Sequence, residues 1–237
     1  MDMTGHQNNA LLASLPPETL AAMAQDLHQQ MVTHGAVLYE PGDKVTNIYF
    51  PQSGLVSLLI VTQGGDNIEA ATVGREGGVG LQRGCGERRA FTRALTQIGG
   101  RFSVISTRRL EHYHRDHVGV RDMMERYGEL RLAEAQQLTA CNAAHDASSR
   151  LARRLLQCAD RSGSDTVPLT QELLAQMLVV RRTTVTLMAQ ELQRLELIKY
   201  SRGRITILDR AGLMTRACEC YHVVRHDKLA HLLGLNR

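Results

Sequence analysis

The chain has 237 residues, 43% of them apolar, and a formal net charge of +4. That balance excludes a disordered chain and leaves room for two domains with separate cores. No run is long enough to span a bilayer and no early stretch pairs a basic with an apolar region, so neither a membrane anchor nor a signal peptide is expected.

Charge is unevenly placed. Residues 1–145 carry 13 basic and 15 acidic side chains, whereas residues 146–237 carry 15 and 9. The later part is therefore the one suited to a polyanion. Five cysteines in irregular spacing do not make a disulfide framework, and the cytoplasm is the expected compartment.

Residues 1–14 are polar and expected to fray. Leu15-Pro16-Pro17-Glu18 opens a helix, with Leu20, Met23, Ala24 and Leu27 on its apolar face. From Gly35 to Ser106 the texture changes to short strand-like runs: 36–39, 48–50, 55–61, 68–73, 91–98 and 102–105. Pro41-Gly42-Asp43, Gln63-Gly64-Gly65-Asp66 and Gly99-Gly100 punctuate them as turns. The expected fold class is α+β, opening with an antiparallel, jelly-roll-like β-roll. A metal-dependent enzyme of that architecture gathers histidines inside the roll, and none lies between Gly35 and Ser106.

A short helix starts at Ser106, and a long one is expected from about Val118 to Ala144. Val120, Met123, Met124, Tyr127, Leu130, Ala133, Leu138 and Cys141 form a near-heptad stripe along it. Such a stripe on a linking helix predicts a homodimer seam at Val120, Met123, Tyr127, Leu130, Leu138 and Cys141. The alternative is a helix lying against its own roll. Asp146 starts the next helix, 147–160, followed by the connector Ser162-Gly163-Ser164.

Residues 169–208 carry the strongest signal. Leu173, Leu174, Met177 and Leu178 mark one helix, with Thr170 as its N-cap and Glu172 in its first turn. Val185, Met188, Ala189, Leu192 and Leu195 mark a second, from about Arg181 to Leu195. The second helix turns Arg181, Arg182, Thr183, Thr184, Thr186 and Gln190 away from that stripe, with no carboxylate among residues 181–190. Base edges offer acceptors and methyl groups while phosphates need cations, so this face suits a major groove. Leu197–Tyr200, a Ser201-Arg202-Gly203 turn and Arg204–Leu208 then read as a β-hairpin with a basic tip. The whole is a winged helix-turn-helix, with Ser201, Arg202 and Arg204 on the wing and Thr170 beside it. Three units follow: a roll over 1–116, a linker helix over 117–145 and a DNA-binding unit over 146–237. A basic face that binds only protein remains the competing reading, told apart by salt-steep DNA affinity.

Cys218, Cys220 and His222, with His226 beyond, have metal-ligand residue types. The region reads as a helix with Leu213, Ala217, Tyr221 and Val224 on its stripe, which would point the two thiolates apart. No metal and no cofactor is expected.

The order of roll, long helix and winged helix-turn-helix resembles the Crp/Fnr family of bacterial transcription regulators over about residues 15–210. Its most specific parts are Tyr39-Glu-Pro-Gly-Asp43, Ser149-Arg-Leu-Ala-Arg-Arg-Leu-Leu156 and 169–208. The resemblance implies a ligand-sensing, cyclic-nucleotide-binding-like roll, paired long helices and a recognition helix in the major groove. It further implies a guanine-reading Arg182 and a backbone-contacting Thr170. The implied partners are double-stranded DNA, a second copy of the chain and RNA polymerase.

The sequence departs from the cyclic-AMP-responsive pattern. Thr183 and Leu187 stand where that group has Glu and Arg, and Val179 stands where the turn has Gly. The expected Gly-Glu pair for the ribose falls at Gly80-Leu81, and Arg88 lacks the serine that should follow it, so control by cyclic AMP is not expected. The effector is unassigned: a small molecule, a thiol response at Cys85, or none. The iron–sulfur branch of the family uses clustered N-terminal cysteines, and none precedes Cys85.

Overall fold

A computed structural model describes residues 5–81 and 89–223. A 3₁₀ turn at His6–Asn8 leads into α1 (Ala10–Ala13) and α2 (Pro17–Met23). Pro17 sits in the first turn of α2, where the missing N–H has no intrahelical partner to lose. Seven strands follow: β1 (His28–Val32), β2 (Val37–Tyr39), β3 (Asn47–Pro51), β4 (Leu55–Val61), β5 (Asn67–Val73), β6 (Arg93–Ile98) and β7 (Gly100–Ser106). They form two antiparallel sheets, ordered β1-β7-β3 and β2-β6-β4-β5. Ile48, Phe50, Val56, Phe102, Val104 and Ile105 fill the roll between them. β1 is absent from the sequence reading because four of its five residues are exposed, so His28–Val32 shows no apolar alternation.

α3 (Thr107–Asp116) is capped by Ser106, whose Oγ accepts the Arg109 N–H at 3.3 Å. α4 runs over Val118–Ala144. Most of its stripe is buried within this chain. Val120, Met123, Met124 and Tyr127 belong to the roll core, and the Tyr127 hydroxyl accepts the Gly78 N–H at 3.2 Å and donates to the Gly78 carbonyl at 3.1 Å. Leu130 and Cys141 are also buried within the chain, and Leu138 is half-buried. Of the seam expected at Val120, Met123, Tyr127, Leu130, Leu138 and Cys141, all but Leu138 are thus buried within a single chain and are not open to a partner. The apolar flank of the roll takes the first half of the stripe, and Cys141 at its far end packs with Cys218 and Cys220.

α5 (Ala147–Ser162) starts after a break at His145, with Asp146 accepting the Ser148 and Ser149 N–H groups at 2.8 and 3.0 Å. β8 (Thr166–Val167), α6 (Gln171–Leu178), α7 (Arg182–Arg194), β9 (Ile198–Ser201) and β10 (Arg204–Ile207) complete the second core. β8 joins the hairpin as a third strand, order β8-β10-β9; at two residues it is too short to read from sequence. Leu55 of β4 packs into this second core, so the roll and the C-terminal part are joined by apolar contact. Arg161 adds a polar tie, its guanidinium meeting Glu134 at 2.5 Å and Glu76 at 3.1 Å.

The helix expected to run through residues 213–224 is broken. α8 (Arg210–Arg216) stops at an extended Ala217 (φ −76°, ψ 146°), and α9 (Cys220–Val223) begins three residues later. No helix among the described residues is long and apolar enough to cross a membrane. Cys85, Arg88, Val224 and His226 lie outside the described residues.

Candidate nucleic-acid interface

The interface is built on α6, α7 and the hairpin. Thr170 caps α6, its Oγ1 accepting the Leu173 N–H at 3.2 Å, which leaves the hydroxyl proton free to donate outward. α6 ends at Val179, held in the left-handed region (φ 55°, ψ 49°). Here a β-branched residue, not a glycine, holds the left-handed turn position, at a steric cost of about 1–2 kcal/mol.

α7 buries Val185, Met188, Ala189 and Leu192 against α6, and this fixes which face looks out. Arg181, Arg182, Thr183 and Gln190 are exposed on that face and Thr184 is half-buried beside them. No side chain caps the N-terminus of α7, so its positive end faces solvent together with Arg181 and Arg182.

Thr186 departs from expectation. Its hydroxyl lies 3.0 Å from Gln171 Oε1 and 3.1 Å from the Arg182 carbonyl, so it ties α7 to α6 instead of pointing at a ligand. Leu187, left out of the site by sequence reasoning, is 68% exposed in the middle of the outer face. Its spacing from Thr183 and Gln190 was the available signal. An exposed leucine flanked by donors suits the C5-methyl group of thymine.

The wing turns through Arg202 (φ 49°) and Gly203 (φ 72°), two consecutive left-handed residues that match a type I′ hairpin. Ser201 pairs with Arg204 across it, and Ser201, Arg202 and Arg204 are all exposed. Gln193 Oε1 accepts the Tyr200 N–H at 2.9 Å and sets the wing against α7. Beyond the basic face, Glu191 is neutralised by Arg194 at 2.8 Å, which holds its carboxyl below the usual range. Thr170, Arg202, Gly203 and Arg204 face His34, Gly35, Leu95 and Gln97 of the roll across a cleft of about 450 Å³.

The roll has a cavity of its own, about 160 Å³, lined by Tyr39, Val45, Leu58, Leu81, Tyr127 and Arg131 among others. No carboxylate lines it among the described residues. Its floor is α4, through Tyr127 and Arg131.

Residues 149–216 match the family of Crp-like helix-turn-helix domains. No curated protein matches the chain. Among solved structures, the chain is similar to a protein described as a Crp/Fnr-family transcriptional regulator from Eubacterium rectale, at 20% identity. That match covers 89% of this chain and 98% of the other, with a TM-score of 0.66. It is also similar to FixK2 from Bradyrhizobium japonicum, at 16% identity over 81% of this chain and 98% of the other, TM-score 0.70. A third is the c-di-GMP-responsive global regulator CLP of Xanthomonas campestris, at 16% identity over 81% and 99%, TM-score 0.64. At these identities the likeness is one of fold.

Proposed function

For this chain, which has the fold of Crp/Fnr-family transcriptional regulators and carries a Crp-like helix-turn-helix domain, we propose sequence-specific operator binding as a homodimer. The observation that carries the reading is the outer face of α7. Arg181, Arg182, Thr183, Leu187 and Gln190 stand exposed there without a carboxylate, beside a basic wing tip. Arg182 would read guanine through O6 and N7, and Leu187 would contact a thymine methyl. Arg202, Arg204, Ser201 and Thr170 would hold phosphates and fix the register without reading sequence.

A second copy would pack on the face of α4 turned away from the roll. Leu132 is 62% exposed there, in line with Ala135 and Thr139 at steps of three and four. Two-fold pairing would place the two α7 helices on successive turns of one groove face, so the operator would be an inverted repeat with half-sites about 34 Å apart. The roll cavity is the place for an effector. A Leu81 wall, which offers a ribose hydroxyl no acceptor, argues against cyclic AMP.

The test is binding to labelled random-sequence duplex as a function of salt. Affinity should fall steeply with salt, and Arg202→Ala should weaken binding to all sequences alike, lowering the salt slope by about 1. Salt-independent binding, or none, would move the basic face to a protein partner.

A further inference from the structure

The break at Ala217 reverses the geometry expected of Cys218 and Cys220. On one continuous helix the two thiols would diverge; here Cys218 lies in the break and Cys220 opens α9. Both thiols turn toward the C-terminal end of α4. Cys141 occupies its last turn, and His145 sits in the break before α5.

The Sγ atoms of Cys141, Cys218 and Cys220 and one ring nitrogen of His145 all lie within 4.8 Å of one another. Cys141 Sγ is 3.6 Å from Cys218 Sγ, and Cys220 Sγ is 3.7 Å from His145 Nδ1. Zinc held tetrahedrally, with Zn–S about 2.3 Å and Zn–N about 2.0–2.1 Å, sets its ligand atoms about 3.5–3.8 Å apart. A disulfide would need about 2.05 Å, and all three thiols are free. His222, the histidine nearest in sequence, is exposed and takes no part in the group.

The surroundings fit a metal as well as the four ligands do. His145 Nε2 lies 3.0 Å from Glu219 Oε1, which fixes the tautomer that leaves Nδ1 as an acceptor toward the sulfurs. Gln137 Nε2 donates to Cys220 Sγ at 3.1 Å, a bond suited to a thiolate. Arg153 is buried nearby. It donates to Gln157 Oε1 at 2.6 Å, and among the described residues its Nε has no partner and its charge no carboxylate. Three thiolates, a neutral imidazole and a divalent cation sum to −1, which that guanidinium would balance. The three cysteines are buried, and the partly exposed His145 gives the entry path.

We propose that Cys141, His145, Cys218 and Cys220 form a structural Cys₃His zinc site. With four protein ligands the site is closed, so its role is to hold structure rather than to activate water. The ligands come from the end of α4, the α4–α5 break and the segment after the wing. Zinc therefore pins the DNA-binding unit to the long helix, and loading releases thiol protons to solvent.

The test is titration of reduced, metal-stripped, full-length protein, free of a histidine tag, with Zn²⁺ against a chromophoric chelator, and separately with Co²⁺. One Zn²⁺ should bind per chain, and Co²⁺ should give the intense visible bands and thiolate charge-transfer absorption of a tetrahedral site. Cys141→Ser and Cys220→Ser should abolish those bands, Cys158→Ser should keep them, and Glu219→Gln should weaken zinc about tenfold or more. The proposal is overturned if the wild-type chain binds no Zn²⁺ in competition, or gives only the weak bands of octahedral Co²⁺. A Cys141–Cys218 disulfide that persists under reductant and Zn²⁺ would overturn it equally. The wild-type arms decide without reference to whether any variant folds.

Discussion

Glu69 on β5 and Arg154 on α5 form a buried ion pair that joins the roll to the DNA-binding unit. Their side chains are 2% and 6% exposed, and Ser57 Oγ donates to the second Glu69 oxygen at 2.7 Å. Removing one member strands a buried charge, so Glu69→Ala should lower unfolding free energy by about 3–5 kcal/mol. Glu69→Leu with Arg154→Met should recover most of that loss, because the pair's desolvation cost goes with it. Denaturant unfolding of the three chains checks this. An unchanged Glu69→Ala midpoint would mean that the pair contributes nothing.

Val179 is 59% exposed and left-handed, so it packs little and strains the turn. Val179→Gly should raise stability by about 1 kcal/mol, the relieved steric cost exceeding the added freedom of the unfolded chain. Thermal unfolding measures it, with operator preference expected unchanged. A lower melting temperature would show that the valine side chain contributes more contact than its exposure implies.

Arg182 and Thr186 sit one turn apart on α7 but should behave differently. Arg182→Ala should cost about 1–3 kcal/mol on a specific site and relax preference at one base pair per half-site. Thr186→Val removes the bond to Gln171, so it should cost about 1 kcal/mol of fold stability and leave base preference intact. Binding measured on a panel of single-base operator variants separates the two. A base-specific change in Thr186→Val would put its hydroxyl back in the groove.

Much of this was legible because it is local. The apolar period of residues 173–195, the Thr170 cap and the basic Ser201–Arg204 turn each fix their own structure, and the helices and hairpin lie where those signals put them. What was not legible depends on distant partners. The α4 stripe has one pattern whether its own chain or a second helix covers it, and what decides lies far away in sequence: the roll's apolar flank for Val120, Met123 and Tyr127, and Cys218 and Cys220 for Cys141. Thr186 reads as a surface hydroxyl until Gln171, fifteen positions earlier, is placed beside it. The four zinc-type ligands span residues 141–220, and nothing between them announces the break at Ala217 that brings them together.

Leu130 and Leu132 lie two positions apart on α4 and face opposite ways. Leu132→Glu should give a folded monomer by sedimentation, with operator affinity reduced at least tenfold. Leu130→Glu would bury a carboxylate in this chain and should unfold it rather than dissociate it. A dimeric Leu132→Glu would place the interface elsewhere than on the open face of α4.

The most direct measurement is selection of bound sequences from random duplex DNA by the full-length protein. The expected result is an inverted repeat with half-site centres about one helical turn, 34–36 Å, apart, from which Arg182→Ala erases one position in each half. Recovery of unenriched DNA held only by salt-sensitive contacts would contradict the assignment of α7 as a reader of sequence.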